Sequence, residues 1–156
     1  MNCWILQCNI NHYRWIDQMK EHENDSDTWG IRHHMKKIEK GDTAFIWLTK
    51  YKEKETRGIY AMAKITGLPS QNIDKIGRKF AWQNQYWTDK EAKEHAKHLV
   101  HLELQYTKRI INKPILKDEL EAAGLGNLLT VERYPRGIYK PPLKDCAIIR
   151  KLVETR

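Results

Sequence analysis

Runs of apolar and polar positions along the chain change period several times, and each period predicts an element. Cys3–Cys8 (CWILQC) is apolar nearly throughout, the pattern of a strand covered on both faces. Tyr13–His22 places Trp15, Ile16 and Met19 at helical spacing and predicts a short helix. Glu23–Asp27 reads as a loop that offers Asp27 or Thr28 as an N-cap. Trp29–Ile38 carries Ile31, Met35 and Ile38 at helical spacing, with Arg32, His33, Lys36 and Lys37 on other faces, and predicts a short basic helix. Gly41-Asp42 is a tight-turn dipeptide. It leads into Thr43–Thr49, apolar and β-prone, and Gly58–Ile65 forms the partner strand of a hairpin. Between them Lys50–Arg57 is too charged for a core and reads as a solvated tip.

Leu68-Pro69-Ser70 predicts the end of the second hairpin strand. Phe80–Trp87 holds four aromatics in eight residues. Thr88-x-x-Glu91 has the form of a capping box opening a helix that runs to about Lys97. In His98–Lys108, Leu102, Leu104 and Tyr106 alternate onto one face, the signature of a strand. Lys117–Ala123 is helical and stops at Gly124. A Pro/Gly-rich extended stretch over Glu132–Leu143 precedes a last helix, Leu143–Val153. With no internal repeat or linker, this is one α+β domain over residues 1–156, built on a mostly antiparallel, strongly curved sheet.

Composition narrows the function. With 156 residues, 40% hydrophobic and 31% charged, the chain is large enough for a real core. Mean hydropathy is −0.76 and no long apolar run occurs, so no membrane partner and no signal peptide are expected. Cys3, Cys8 and Cys146 are odd in number and widely spread, which argues against a disulfide framework and for a reducing cytoplasm. The net charge of +8 favours an anionic partner, nucleic acid first. Six Trp and seven Tyr among the cations suit base stacking combined with phosphate contact.

Catalytic chemistry finds little support. Serine occurs only at Ser26 and Ser70, neither in a nucleophile elbow. Cys8 and Cys146 read as buried structural thiols. Gly124-x-Gly126 lacks the rest of a phosphate loop. His95, His98 and His101 do not share one helical face, and no CxxC pair accompanies them. No enzyme, cofactor or metal is therefore expected. The aromatic residues are the better lead, because holding an extruded base needs stacking surfaces and polar groups that read its edge. Trp29, Trp47, Trp82 and Trp87 are candidate walls, although strand alternation leaves open whether Trp47 points into a core. Trp4 and Trp15 read as core. Asn9 and Thr49, each ending a strand, are candidates for edge hydrogen bonds. Arg32, Lys36, Lys37 and Arg57 are candidate phosphate contacts, with His33-His34 adding donors.

The order of these segments carries a resemblance. Trp29-Gly30 before a basic segment, then GDTAFIW, a charged loop and RGIYAMAKI, resembles the EVE domain of the PUA-like superfamily. The opening CWILQCN and the late YPRGIYKPPL agree with it. The resemblance implies a PUA-like pseudobarrel surrounded by helices. As relatives of the YTH domain, EVE domains are associated with modified nucleobases, notably modified cytosine in DNA, held in an aromatic pocket. By motif the pocket position falls on Trp29, lined by Gly30, Ile31 and Arg32, with Trp82 or Trp87 as the second wall. DNA is expected before RNA. An RNA-binding protein of RNA modification or translation is the alternative, and an enzyme acting on a small ligand in the same pocket is a third.

Overall fold

The first strand serves two cores at once. In β1 (Cys3–Asn9) Trp4, Leu6 and Cys8 join Trp15, Ile46, Leu102 and Tyr106, while Cys3 and Ile5 join Phe45, Trp47, Ile149 and Val153 on the opposite face. That two-sided burial is why its sequence is apolar nearly throughout. The computed structural model describes residues 2–22, 25–34, 36–49, 56–70, 81–126 and 138–156. Residues 50–55 of the predicted hairpin tip, the stretch 71–80 and most of the Pro/Gly-rich segment lie outside the described residues.

After β1 the chain forms α1 (Trp15–Glu21), β2 (Ser26–Ile31), β3 (Thr43–Thr49) and β4 (Gly58–Ser70). A 3-10 helix (Ala81–Tyr86), α2 (Lys90–Lys97), β5 (Val100–Arg109) and β6 (Ile115–Leu116) follow. The chain ends with α3 (Lys117–Leu120), which widens through Glu121–Leu125, then β7 (Ile138–Tyr139) and α4 (Leu143–Glu154). The strand order is β2-β5-β4-β3-β1-β7, with β6 beside β4. Thr43–Thr49 and Gly58–Ile65 pair as the sequence predicts. The sheet is mixed rather than antiparallel throughout: β3 lies parallel to β1, from Cys3 opposite Thr43 to Asn9 opposite Thr49, and the other pairs are antiparallel.

The sheet curls into a half-barrel, and β4 is the strand that bends. Its register against β5 shifts between Met62 and Ala63, between Ile65 and Gly67, and between Gly67 and Ser70. Each irregularity adds bend and twist. Pro69 falls within the last of them, so it does not end the strand as expected; a bulge tolerates the missing N–H. At the other end, a Cβ on Gly58 would lie 2.2 Å from the Ile115 carbonyl oxygen, so only glycine admits β6 at this spacing.

Three other expectations are corrected. Trp29–Ile38 is not a helix. Ser26–Ile31 is an edge strand registered on β5 from Gln105 to Val100, and a turn follows in which His34 takes φ 62°. Pairing with β5 satisfies the backbone there, which outweighs a helical spacing resting on three apolar residues. Asp27 and Thr28 are consequently strand residues rather than caps. For α2 the cap is Asp89, accepting from the Glu91 and Ala92 amides, while the Thr88 hydroxyl donates to the Asn11 carbonyl. Lastly, Cys3 and Cys146 form a disulfide with Cα atoms 6.0 Å apart, leaving Cys8 as the buried free thiol. Counting cysteines could not show that the first strand packs against the last helix, whose Cys146, Ile149 and Val153 cover the second core.

Candidate functional site

The curl brings the end of β1 close to β2, although the two stand far apart in the strand order. Between them, closed by α2 and the 3-10 helix, lies a cavity of about 260 Å³. Trp29 from β2, with Tyr13 and Trp87, gives it aromatic walls. Tyr13 and Trp87 meet edge to face, centroids 4.9 Å apart and planes at 73°, across an isolated β-bridge. Trp29 is half-buried and packs against the inner core. On α2, Ala92 and Ala96 lie one turn apart and present small side chains to the space, with Leu99 beyond them. That helix is held in place by the Asp89 cap and by His12, whose Nδ1 lies 2.9 Å from the Asp89 carboxylate. A Cβ at Gly30 would come within 2.8 Å of Leu99 Cδ1 and 3.4 Å of His101 Cε1, so glycine keeps this wall close.

The floor is a buried polar network centred on Asp27, 1% exposed. One carboxylate oxygen accepts from the Thr28 amide at 2.8 Å and from Gln83 Nε2; the other accepts from Gln18 Nε2 at 3.0 Å and from the Tyr106 hydroxyl. The Tyr13 hydroxyl donates to Gln18 Oε1, and Trp15 Nε1 donates to the Tyr106 oxygen at 3.0 Å. Burial pushes the Asp27 carboxyl up to about 6, against the pull of the Tyr106, Gln18 and Thr28 hydrogen bonds and the Arg109 charge. Burial likewise raises the Tyr13 and Tyr106 hydroxyls and the Cys8 thiol. Arg109 donates to the Met19 and His22 carbonyls at the end of α1 and to Asp25 at 3.0 Å, which fixes the helix that carries Gln18.

Of the residues singled out from sequence, Asn9, Trp29, Gly30 and Trp87 border this cavity. Ile31 is buried in the inner core, and Arg32 is exposed just beyond it. Trp47 is buried on the opposite face of the sheet, and Thr49 donates its hydroxyl to the Cys8 carbonyl at 3.3 Å. Trp82 stacks on His22 at 4.3 Å rather than on the cavity. Lys36 and Lys37 are exposed in the turn after β2, whereas Arg57 precedes β4, its carbonyl accepting from the Lys117 amide. His95 and His101 both line the cavity, while His98 is exposed at the end of α2. Among the described residues no cluster of metal-ligating side chains occurs. Sequence reasoning missed Tyr13, Asp27, Gln83 and the place of His101 in the cavity wall. Reading Ser26–Ile31 as a strand would have found one of them, because alternation puts Asp27, Trp29 and Ile31 on one face.

A curled mixed sheet with a cavity between its first strand and its edge strand is a PUA-like architecture. The EVE domain family model matches residues 2–151, and the chain belongs to that family. Among solved structures, a hypothetical protein from Leishmania major superposes with a TM-score of 0.65 at 16% identity, over 99% of this chain and 96% of that one. The human THYN1 protein, in complex with 5-methylcytosine-containing DNA, gives 0.63 at 17% identity, over 100% and 99%. An ASCH mutant protein from Zymomonas mobilis gives 0.61 at 7% identity, over 97% and 99%. No curated protein matches the chain in sequence.

Proposed function

We propose that this EVE domain is a nucleic-acid-binding module that takes one modified base, extruded from its strand, into the cavity walled by Trp29, Trp87 and Tyr13. The observation that carries this reading is the cavity itself: aromatic walls, a polar floor and a volume of about 260 Å³, enough for a single heteroaromatic base. The net charge of +8 supports a polyanionic partner. The human THYN1 complex with 5-methylcytosine-containing DNA favours modified cytosine in DNA as the first ligand to try, with RNA as the comparison. A carboxyl raised to about 6 at the cavity floor would also suit a general acid–base enzyme acting on a ligand in the same space. Its two oxygens already take four donors, which argues for a structural role and for binding over turnover.

The test is a single variant. Trp29→Ala should weaken binding to an oligonucleotide carrying 5-methylcytosine by about 5- to 150-fold, the worth of one base stacked on an aromatic. Its denaturant midpoint should change little, since the ring is only half-buried. Unchanged affinity for modified and unmodified DNA and RNA alike, in a folded variant, would reject the stacking role. Phosphate contact makes a separate expectation. Affinity should fall linearly in log–log terms with salt, by about 0.7 to 0.9 per phosphate engaged. The Arg32→Ala, Lys36→Ala, Lys37→Ala triple variant should show a shallower slope. An identical slope would place the phosphate contacts elsewhere.

A further inference from the structure

We infer that α2 is a gate on the cavity: a marginal helix, tethered at its two ends, that opens away from the other walls and closes again while the sheet stays folded. The opening is a property of the fold; its use in admitting a base rests on the reading above.

The other walls are locked by backbone pairing or by burial. β1 is paired along its length with β3, and β2 along its length with β5. The 3-10 helix is pinned by Tyr86, which is fully buried. Its carbonyl accepts from the Arg14 amide at 2.8 Å, and its hydroxyl donates to Glu21 at 2.8 Å. Trp87 is bridged to Tyr13. α2 differs from all of these, because none of its eight residues is buried. It borders the cavity with Ala92, His95 and Ala96, and alanine side chains offer little apolar area to hold a helix down. A helix of eight residues is unstable by itself in water, and in proteins most helical stability comes from a packed face. α2 has no such face, so its folded form depends on its ends.

Both ends are tied. Asp89 caps the N-terminus, accepting from the Glu91 amide at 2.9 Å and the Ala92 amide at 3.2 Å. The Thr88 amide donates to the His12 carbonyl at 2.9 Å, and its hydroxyl donates to the Asn11 carbonyl at 2.7 Å. At the other end the Ala96 carbonyl meets His101 Nε2 at 2.9 Å, and the chain enters β5 at Val100. Fixed ends around an unpacked middle define a local opening that costs far less than unfolding the sheet. Cys8 is placed to report it. It is the free thiol, it is buried, and it borders the same cavity as Ala92, His95 and Ala96. Burial holds its thiol well above the ordinary range, so reaction with an electrophile requires exposure first.

The test is the rate at which N-ethylmaleimide labels Cys8, read by mass in the absence of reductant so that the Cys3–Cys146 disulfide stays closed. Asp89→Ala removes the cap and should speed labelling by about 2- to 30-fold, the worth of a helix cap expressed as an opening equilibrium. Thr88→Val cuts the tether to Asn11 and should act in the same direction, which covers the case in which Asp89→Ala fails to fold. Denaturant midpoints should change little in either variant, since no side chain of α2 is buried. Saturating 5-methylcytosine oligonucleotide should slow labelling of the wild-type protein. Wild-type labelling rates in every folded variant overturn the gate. So does a rise matched by an equal loss of global stability, which would place the exposure in global unfolding. A native protein that labels as fast as the urea-unfolded chain overturns it as well. If the oligonucleotide fails to bind while the variants label faster, the base-pocket reading falls and the gate stands. If it binds and the variants label no faster, the gate alone falls.

Discussion

An Asp27→Asn variant should gain on the wild-type protein by about 3 kcal/mol in unfolding free energy as pH rises from about 4 to about 7. Asp27 is fully buried, and its carboxyl moves from an ordinary 3.8 to about 6 in the folded state. A folded-state value above the unfolded one means that, between the two, the native protein holds a proton the unfolded chain has lost. Stability from this group is therefore complete below about 4 and is lost as pH rises through about 6. The gap corresponds to about 3 kcal/mol. This is opposite to the usual paired carboxylate, and it follows from desolvation exceeding the help of four donors and a nearby guanidinium. Asparagine has nearly the same shape and no charge, so the difference between the two unfolding curves isolates the carboxyl, other titrations being common to both proteins. Denaturant midpoints at several pH values make the measurement. Two curves that run parallel across the window would show that the Asp27 carboxyl titrates as an exposed group does.

Desolvation is the largest influence on the Asp27 carboxyl, and four donors oppose it. The ionised form is what holds Gln83 and Gln18 in one orientation. A protonated Asp27 can donate, and the amides are then no longer forced to point their NH₂ groups inward.

The parts of the fold that were legible in the sequence are those whose side chains alternate against a core. β1, the β3–β4 hairpin, β5 and α4 each bury a continuous apolar face, and their places in the chain follow from it, although β4 runs on through Pro69 to Ser70. β2 was not legible because its stability does not come from apolar alternation. It holds polar Ser26, Asp27 and Thr28, and it is secured by pairing with β5 and by the Asp27 network. Those partners lie as many as 79 residues away in the chain. The disulfide was hidden for the same reason, its cysteines being 143 residues apart. For the site, Trp29, Gly30 and Trp87 stood out as bulky aromatic or close-approach positions, but the polar floor beneath them is assembled from α1, β2, β5 and the 3-10 helix. No local pattern reports such an assembly. Trp47 was ambiguous in a different way. Its strand is buried on both faces, so alternation says that it faces one of two cores without saying which one borders a cavity.

Trp47→Ala should cost about 3–5 kcal/mol of stability while leaving the ligand affinity of the folded protein unchanged. Trp47 is 1% exposed and packs with Cys3, Ile5, Phe45, Ile149 and Val153 between the sheet and α4. The cavity lies on the other face, where Ile46 and Leu48 of the same strand contribute to the inner core. Truncation would open a void beneath α4 that the disulfide-tied helix and the paired strand can fill only in part, which places the loss toward the larger core values. The contrast with Trp29→Ala is the informative comparison, because both remove an indole from a strand of one sheet. One variant should lose stability and keep binding; the other should keep stability and lose binding. Denaturant midpoints and titrations with the 5-methylcytosine oligonucleotide, made on both variants well below their unfolding transitions, separate the two cases. Weakened affinity in a fully folded Trp47→Ala protein would mean that the two faces of the sheet are coupled through β3, and that the second core belongs to the binding machinery.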